Sequence, residues 1–487
     1  MKKKGVWLSF PALLILCGVA IGEQQDLGFD LDKHLGTHWY GVYMSGKKCG
    51  YSSATMKKIK RDGQPCYSSS MDTSIILSVM GVAQKLRVIE KTVFLASGPI
   101  LESSSSMGPL GSYRGVVEGD QMRLVATIGG MKTEKMIPAP RNTLRDEVGP
   151  MRLVLGKPKI GDSIQCTTFD PTAGKNLEST VSVTGKKTIL FNGVQTDVYE
   201  INVKIEDMGL NSPMLVTENA DVLQLTFPIG AKEMALRRED EKVAKDQSVE
   251  VVEMLDASSV RPDGDMPDVT QIKELKLRIT GLADEKCVVD DARQKYTKQD
   301  GSYELLLQKD TLPENPPNIP MTDKDVAEFT KPTELYQSGH PDVVEKAKEI
   351  VGGEANSIMA AEKLCNWVFT NVKKKGTASF SNTLETLRKM EGDCSEHAAL
   401  FVGLCRAAGL PARVATGIAY SKAFGVFGGH AWAEVYVGKW VAVDPTFGEP
   451  VANPAHIKLV NGDSFIETAR ILSVLGKMKI EVIQPGK

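Results

Sequence analysis

Two short runs near the C-terminus alternate between apolar and polar residues, as the two strands of a hairpin do. They extend from 430 to 436 and from 440 to 444, with Gly438 between them. A three-residue loop, Val437 to Lys439, collects the apolar positions on one face, whereas a two-residue loop does not. We therefore predict the three-residue loop and an apolar face formed by Ala431, Ala433, Val435, Val441 and Val443.

The opposite face of this hairpin carries polar and aromatic side chains. In the predicted register Tyr436 pairs with Trp440, which puts Asp444 opposite Trp432 and diagonal to His430. Such a diagonal is roughly 7–8 Å between backbones, within reach of side chains. We therefore expect one face to be core and the other to be a site. The polar face consists of His430, Trp432, Glu434, Tyr436, Trp440 and Asp444.

A helical pattern precedes the hairpin and begins at Cys394. Apolar residues follow at helical spacing, and Gly409 and Pro411 indicate the helix end. A cysteine in the first turn lies near unpaired backbone N–H groups and the positive end of the helix dipole, which favour a thiolate. The alternative is a small buried apolar residue, the commoner role of a free cysteine.

A thiol, an imidazole and a carboxylate in this chain order are the three parts of an activated sulfur nucleophile. Cys394 would attack an acyl carbon, and His430 would take and return the proton. Asp444 would fix the tautomer of the imidazole and stabilise its charged form. We predict these three residues as the catalytic site.

The boxes around these residues resemble those of the transglutaminase-like superfamily. They read Gly-Asp-Cys-Ser-Glu-His-Ala from 392, His-Ala-Trp-Ala-Glu-Val from 430 and Asp-Pro-Thr from 444, and the segment 406–413 is similar to the family's helix exit. The resemblance covers about 330–487 and implies a papain-like α+β fold with the same three catalytic residues, in a bacterial exported member. The family contains cross-linking enzymes, amide hydrolases and inactive members, so fold and triad leave the reaction open.

Other residues near the boxes are weaker candidates. His397 lies one turn after Cys394 and could in principle serve as base or metal ligand. A Cys and a His on one turn without a second close pair is a poor zinc signature, so we predict no metal and no cofactor, with His397 packed beside the nucleophile. We expect Glu396 and Glu434 to be solvated or supporting groups.

The chain before the boxes is mostly strand-like, which gives an α+β protein with a mainly antiparallel β-rich N-terminal region. Turn signals such as Asp62-Gly63 and Asn192-Gly193 recur as in a meander. Pro313, Pro316, Pro317 and Pro320 indicate a linker before the helices of the core. The predicted units are a signal peptide at 1–22, the β-rich region at 23–245, a short strand-rich unit with linker at 246–325, and the catalytic core at 326–487.

Composition is that of an ordinary globular protein, with 42% apolar residues, 25% charged residues and a net charge of −2 over 487 residues. Nothing in this balance favours a nucleic acid or an anionic membrane as partner. Removal of the signal leaves an odd number of thinly spread cysteines, which argues against a disulfide framework. The Asp62-Gly63 turn would place Cys66 opposite Ile59, on the order of 30 Å along the strand from Cys49, so we predict no bond between the two cysteines.

The N-terminus predicts export. Three lysines precede an apolar stretch from Val6 to Ile21, with small residues before Glu23 that suit cleavage, although retention as an anchor stays open. We therefore expect a periplasmic, cell-envelope or extracellular enzyme that acts on amide bonds of protein or peptide substrates through a thioester. Water or an amine would resolve the thioester. The alternative is a catalytically silent envelope binding or scaffold protein that uses its β-rich region.

Overall fold

The computed structural model describes residues 25–79, 82–108, 111–128, 131–229, 232–246, 248–253, 259–282, 284–375, 382–461, 471, 474–475 and 477–483. The predicted signal segment 1–22 lies outside the described residues. No helix among the described residues is long and apolar enough to cross a membrane.

A single large, almost wholly antiparallel sheet contains the first fifteen strands. Its order is β8-β7-β6-β5-β4-β3-β2-β1-β14-β13-β12-β11-β10-β9, and β15 pairs with β3 in parallel. The strands are β1 (Gly36–Met44), β2 (Lys47–Arg61), β3 (Gln64–Val79), β4 (Val82–Leu95), β5 (Ile100–Ser106), β6 (Ser112–Glu118), β7 (Gln121–Ile128), β8 (Met131–Pro138), β9 (Ser163–Asp170), β10 (Lys175–Phe191), β11 (Val194–Ile205), β12 (Leu210–Thr217), β13 (Val222–Ile229), β14 (Lys232–Glu239) and β15 (Val252–Glu253). The helices α1 (Leu144–Glu147) and α2 (Gly149–Leu155) connect β8 to β9, and α3 (Glu241–Ala244) follows β14.

This sheet curls so that its two ends approach each other. Met122 of β7 and Phe169 of β9 share one apolar cluster with Leu144 of α1, although β7 and β9 lie near opposite ends of the strand order. The β2–β3 hairpin has the predicted register, with Ile59 opposite Cys66 and positive φ at both residues of the Asp62-Gly63 turn. All seven described cysteines are free, so the predicted separation of Cys49 from Cys66 is confirmed.

A smaller sheet follows, in the order β18-β19-β17-β26. Its strands are β17 (Glu274–Thr280), β18 (Gln294–Gln299), β19 (Ser302–Gln308) and, from the far end of the chain, β26 (Lys479–Ile483). The preceding short strand β16 (Ser259–Val260) pairs instead with a strand of the C-terminal core. The predicted units 246–325 and 326–487 thus exchange strands, and we call residues 274–310, which include β17, β18 and β19, the strand unit.

The C-terminal core contains helices packed on an antiparallel sheet. The helices are α4 (Pro341–Val351), α5 (Ser357–Asn371), α6 (Thr383–Lys389) and α7 (Cys394–Ala407), and the strands are β20 (Lys373–Lys374), β21 (Glu391–Gly392), β22 (Ala412–Ser421), β23 (Val426–Tyr436), β24 (Trp440–Val443) and β25 (His456–Asn461). The main sheet has the order β16-β23-β22-β25, and β24 also pairs with β23. The predicted α+β class with a β-rich N-terminal region is confirmed.

Helix α7 is the centre of this core. Its residues 396–406 are all buried, among α4, α5, α6 and the sheet. Leu400, Phe401 and Leu404 are fully enclosed, and each contributes about 1.5–3 kcal/mol of burial free energy. Because α7 is packed so tightly, its first residue is held firmly at the edge of the core.

The predicted hairpin is confirmed, but its second face differs from the expectation. Tyr436 pairs with Trp440, as a three-residue loop requires, and the apolar face joins the core around α7. The face with Trp432 and Glu434 is buried as well, because β25 and the strand unit cover it. The hairpin therefore lies between two packed layers, and the site is confined to the end near His430.

Candidate active site

The start of α7 is fixed by side-chain capping. Asp393 is the N-cap, and its carboxylate accepts from the backbone N–H of Ser395 at 2.8 Å. The carboxylate of Glu396 accepts in return from the backbone N–H of Asp393 at 2.7 Å, which completes a capping box. A Cβ at Gly392 would lie 2.3 Å from the Glu396 side chain, so glycine is required there. Cys394 is the first helical residue, as predicted, and is half-buried.

The two acidic side chains of this capping box, Asp393 and Glu396, affect each other's ionisation. Burial, and then the neighbouring Glu396 carboxylate, raise the pKa of Asp393 to about 7. Near neutral pH the pair therefore tends to hold a proton. The negative charge next to the Cys394 sulfur is thereby reduced, which favours a thiolate at the helix N-terminus.

His430 connects the sulfur to the carboxylate. Its Nε2 lies 2.7 Å from Oδ2 of Asp444, which leaves Nδ1 as the nitrogen available to Cys394. Burial opposes the charged imidazole, but the charge and hydrogen bond of Asp444, with a further hydrogen bond to Cys394, raise the pKa of His430 to about 10. The imidazole stacks against Phe447, with centroids 4.6 Å apart and planes at 17°. A protonated His430 beside the sulfur favours the thiolate–imidazolium form.

Asp444 is fully buried and accepts four hydrogen bonds. Oδ1 accepts from the backbone N–H groups of Thr446 at 2.7 Å and Phe447 at 3.0 Å. Oδ2 accepts from His430 and, at 2.9 Å, from Nε2 of His456. Burial opposes ionisation, yet the two histidines hold the pKa of Asp444 well below its usual range. The carboxylate is therefore ionised and oriented.

His456 was missed by the sequence reasoning. It begins β25 and is 1% exposed, and its Nδ1 lies 3.1 Å from the carbonyl oxygen of Asn453. The signal that could have revealed it is the alternation of His456, Ile457, Lys458 and Leu459, which puts two polar residues on one face of a buried strand.

His397 does not share the site with His430. Its Nδ1 lies 2.6 Å from the carbonyl oxygen of Asp393, the N-cap residue of α7, and the ring is fully buried. Burial lowers the pKa of His397, the opposite of the shift at His430. His397 therefore braces the start of α7 and is poorly suited to act as the base.

The two glutamates near the boxes are more enclosed than expected. Glu396 is 1% exposed and holds the capping box, and Glu434 is 5% exposed. Glu434 forms ion pairs with Arg413 at 2.7 Å and Lys458 at 2.6 Å. Both glutamates therefore have the supporting role, one of the two that we expected: Glu396 caps α7, and Glu434 pairs with Arg413 and Lys458 in a packed layer.

The histidine–aspartate cluster could also be considered as a metal site. The ligand atoms of His430, Asp444 and His456 all lie within 4.8 Å of one another. In a tetrahedral zinc site with bonds of about 2.0–2.1 Å, neighbouring ligand atoms are roughly 3.3 Å apart. Here each Nε2 lies only 2.7–2.9 Å from Oδ2, which is a direct N–H···O hydrogen bond. The arrangement suits proton chemistry better than metal binding.

Comparison with known proteins agrees with this geometry. Residues 344–445 match the transglutaminase-like superfamily. No curated protein matches the chain. This family match includes Cys394, His430 and Asp444 and ends within the third box.

Solved structures show looser similarities. A Cytophaga hutchinsonii protein, described as a putative cysteine protease, is 18% identical with a TM-score of 0.32, over 46% of this chain and 82% of that one. A beta-barrel-like protein of a domain of unknown function from Brucella abortus is 10% identical with a TM-score of 0.32, over 42% of this chain and 95% of that one. A TGase is 15% identical with a TM-score of 0.18, over 38% of this chain and 55% of that one.

The identities and TM-scores of these structures are low, and the assignment depends on the family match and on the boxes themselves. Helix α7, strand β23 and the end of β24 bring Cys394, His430 and Asp444 together. Residues 344–445 of this chain form a transglutaminase-like domain, the kind of domain found in cysteine-dependent enzymes.

Proposed function

We propose that this protein is an exported cysteine enzyme that acts on amide bonds of proteins or peptides through a thioester intermediate. The observation that carries the proposal is the connected geometry from Cys394 through His430 to the buried carboxylate of Asp444. A structural cysteine needs no protonated imidazole beside it. The raised pKa of His430 and the helix N-terminus both favour the thiolate that amide attack requires.

The residues support a two-step acyl transfer. The Cys394 sulfur would attack the amide carbon, and the Cys394 backbone N–H at the helix start would face the developing oxyanion. His430 would give its proton to the leaving nitrogen, so that the C–N bond breaks and an amine departs as the thioester forms. It would then remove a proton from the incoming nucleophile as the thioester is cleaved and the thiolate is restored.

The nucleophile in the second step decides the reaction class. Water would give a peptidase or amidase, and an amine would give cross-linking. We place hydrolysis ahead, because water needs no binding site of its own whereas an amine substrate does. The two outcomes share every catalytic residue, so a direct assay has to separate them.

The first test is labelling with a neutral thiol-directed electrophile such as iodoacetamide. The other described cysteines are buried, and burial raises the pKa of the Cys365 and Cys405 thiols. Intact-mass analysis of the folded protein should therefore show one rapid modification, at Cys394, which Cys394→Ala removes. His397→Ala, a matched histidine change on the same helix, should still be labelled rapidly.

The second test measures turnover on a panel of peptides, with and without a primary amine. Release of free carboxylate supports hydrolysis, and incorporation of the amine supports transfer. A folded protein whose Cys394 is labelled no faster than free cysteine, and which processes no peptide, would contradict the catalytic proposal and favour a silent scaffold.

A further inference from the structure

The loop that carries Asp444 closes on itself through hydrogen bonds. The backbones of Asp444 and Glu449 pair in both directions, at 2.8 and 2.9 Å. The Glu449 carboxylate accepts from the backbone N–H of Asn453 at 2.7 Å, and the Asn453 carbonyl oxygen lies 3.1 Å from Nδ1 of His456. His456 then reaches back to Oδ2 of Asp444 at 2.9 Å. These contacts link Asp444, Glu449, Asn453 and His456 in a closed ring of hydrogen bonds, which includes the Asp444 carboxylate.

His456 acts as a double donor in this ring. A carbonyl oxygen and an ionised carboxylate can only accept hydrogen bonds, so both nitrogens of the His456 ring must carry protons. His456 is therefore an imidazolium, buried beside the negative charge of Asp444. The same Oδ2 also accepts from His430, which divides one carboxylate oxygen between two imidazoles.

The strand unit supports this ring from outside the domain. Arg293, which is 6% exposed, donates to the carbonyl oxygens of Ala452, at 3.1 Å, and Asn453. It also pairs with Asp310 at 3.1 Å, and Asp310 accepts from the backbone N–H of Ala442 on β24. Arg293 and His456 thus donate to the same carbonyl oxygen, and Asp310 holds β24, which ends directly before Asp444.

We propose that His456 is a positioning residue that shares Oδ2 of Asp444 with His430, and that Arg293 of the strand unit holds it there. The strand unit is then part of the active site, not a separable module. This inference rests on the proposed function only in calling Asp444 catalytic.

Because His430 and His456 share Oδ2 of Asp444, His456 affects the basicity of His430. A carboxylate that accepts a second N–H, and lies beside a second positive charge, attracts the proton of His430 less strongly. His456 therefore moderates the basicity of His430, which must release its proton to the leaving amine as well as hold it. Without His456, His430 should retain its proton to higher pH.

The other charged and titratable groups around the cluster each have a partner among the described residues. Cys394 faces His430, and the Cys365 thiol lies 3.8 Å from the Asp444 carbonyl oxygen. Glu449 is bound to Asn453, and Arg293 is bound to Asp310. Lys458 is paired with Glu434 and Asp291.

The test uses nuclear magnetic resonance of the full-length protein labelled at histidine Cε1, of which the chain has six. In the wild type at neutral pH the His456 signal should lie at the position of a ring with protons on both nitrogens, since each nitrogen faces an oxygen that can only accept. In His456→Phe the titration of His430 should move up by roughly one pH unit. In His456→Gln, which keeps a side-chain N–H near Asp444, the shift should be smaller.

Arg293→Lys tests the support from the strand unit, because lysine preserves the charge facing Asp310 but lacks the forked nitrogens. It should move the His430 titration upward, and it decides the question if His456→Phe does not fold. An unchanged His430 titration in folded His456→Phe, or in Arg293→Lys where His456→Phe does not fold, would overturn the proposal. A wild-type His456 signal at the position of a neutral ring would also overturn it. None of these measurements uses a substrate, so absence of peptide turnover would refute the proposed function and leave this inference standing.

Discussion

Replacement of Asp444 by asparagine is the most informative single change at this site. The wild-type carboxylate offers acceptor positions to four N–H donors, two from the backbone and two from imidazoles. An amide has one accepting oxygen and one donating NH₂ group. If the oxygen stays with Thr446 and Phe447, the NH₂ group faces Nε2 of His430. His430 must then present a lone pair at Nε2 and carry its proton on Nδ1, towards Cys394.

A proton on Nδ1 prevents His430 from accepting the Cys394 proton, so the thiolate is lost together with the base. The same exchange in serine proteases lowers turnover by about 10⁴-fold through the wrong tautomer. We expect a fall in kcat/KM of about 10³–10⁴-fold here, which corresponds to about 4–5.5 kcal/mol of transition-state stabilisation. The loss of carboxylate charge should also lower the pKa of His430, since that charge is a main cause of its elevation.

Two assays check this expectation. The rate of Cys394 alkylation by iodoacetamide, followed from pH 5 to 10, should show less thiolate near neutrality in Asp444→Asn than in the wild type. Peptide turnover should fall in parallel, while circular dichroism shows a retained fold. His397→Ala is the control, and it should affect turnover much less. Near-normal turnover by Asp444→Asn on a peptide that Cys394→Ala cannot process would show that Cys394 and His430 act as a dyad without Asp444.

Three further measurements test the wider structure. Mass spectrometry of the unreduced protein should find Cys49 and Cys66 unlinked, and a peptide joining them would refute the hairpin register. Glu434→Gln should lower the free energy of unfolding by about 1–3 kcal/mol in urea titrations, because it removes the charge that pairs with Arg413 and buried Lys458 and leaves only Asp291 to pair with that lysine. Glu349→Gln at an exposed helical pair should cost less than about 1 kcal/mol, and equal losses would contradict this. The pKa of His430 is raised from 6.5 to about 10, so its stabilisation is fully present below pH 6.5 and lost as pH rises through 10. The melting temperature of His430→Phe should therefore fall less than that of the wild type between pH 7 and 10.

The elements that hold the site were predictable because their signals are local. Alternation along β23 and β24 fixed the loop length, and the loop length put Asp444 on the face of His430. The capping sequence from Gly392 to Glu396 placed Cys394 at the first position of α7. Each of these inferences needs only a few consecutive residues and the period of one element.

The burial of the second hairpin face was not predictable from the same signals. Its cover comes from Gln294, whose side-chain amide bonds both backbone groups of Lys458, more than 160 residues away in the chain. A polar residue on an alternating strand indicates solvent or a site unless a partner from another element neutralises it. Here Lys458 and Glu434 neutralise each other within a packed layer. Alternation identifies a face, but only the tertiary structure shows what lies against it.

The position of His456 shows why the strand unit and the transglutaminase-like domain depend on each other. A buried imidazolium is costly unless each of its protons has an acceptor. The Asn453 carbonyl supplies one acceptor, and Arg293 fixes the backbone that presents it. Arg293 directly precedes β18, a strand of the sheet that β26 completes. Removal of the strand unit would leave that acceptor unsupported next to Asp444, so the orientation of the Asp444 carboxylate depends on residues on both sides of the domain in sequence.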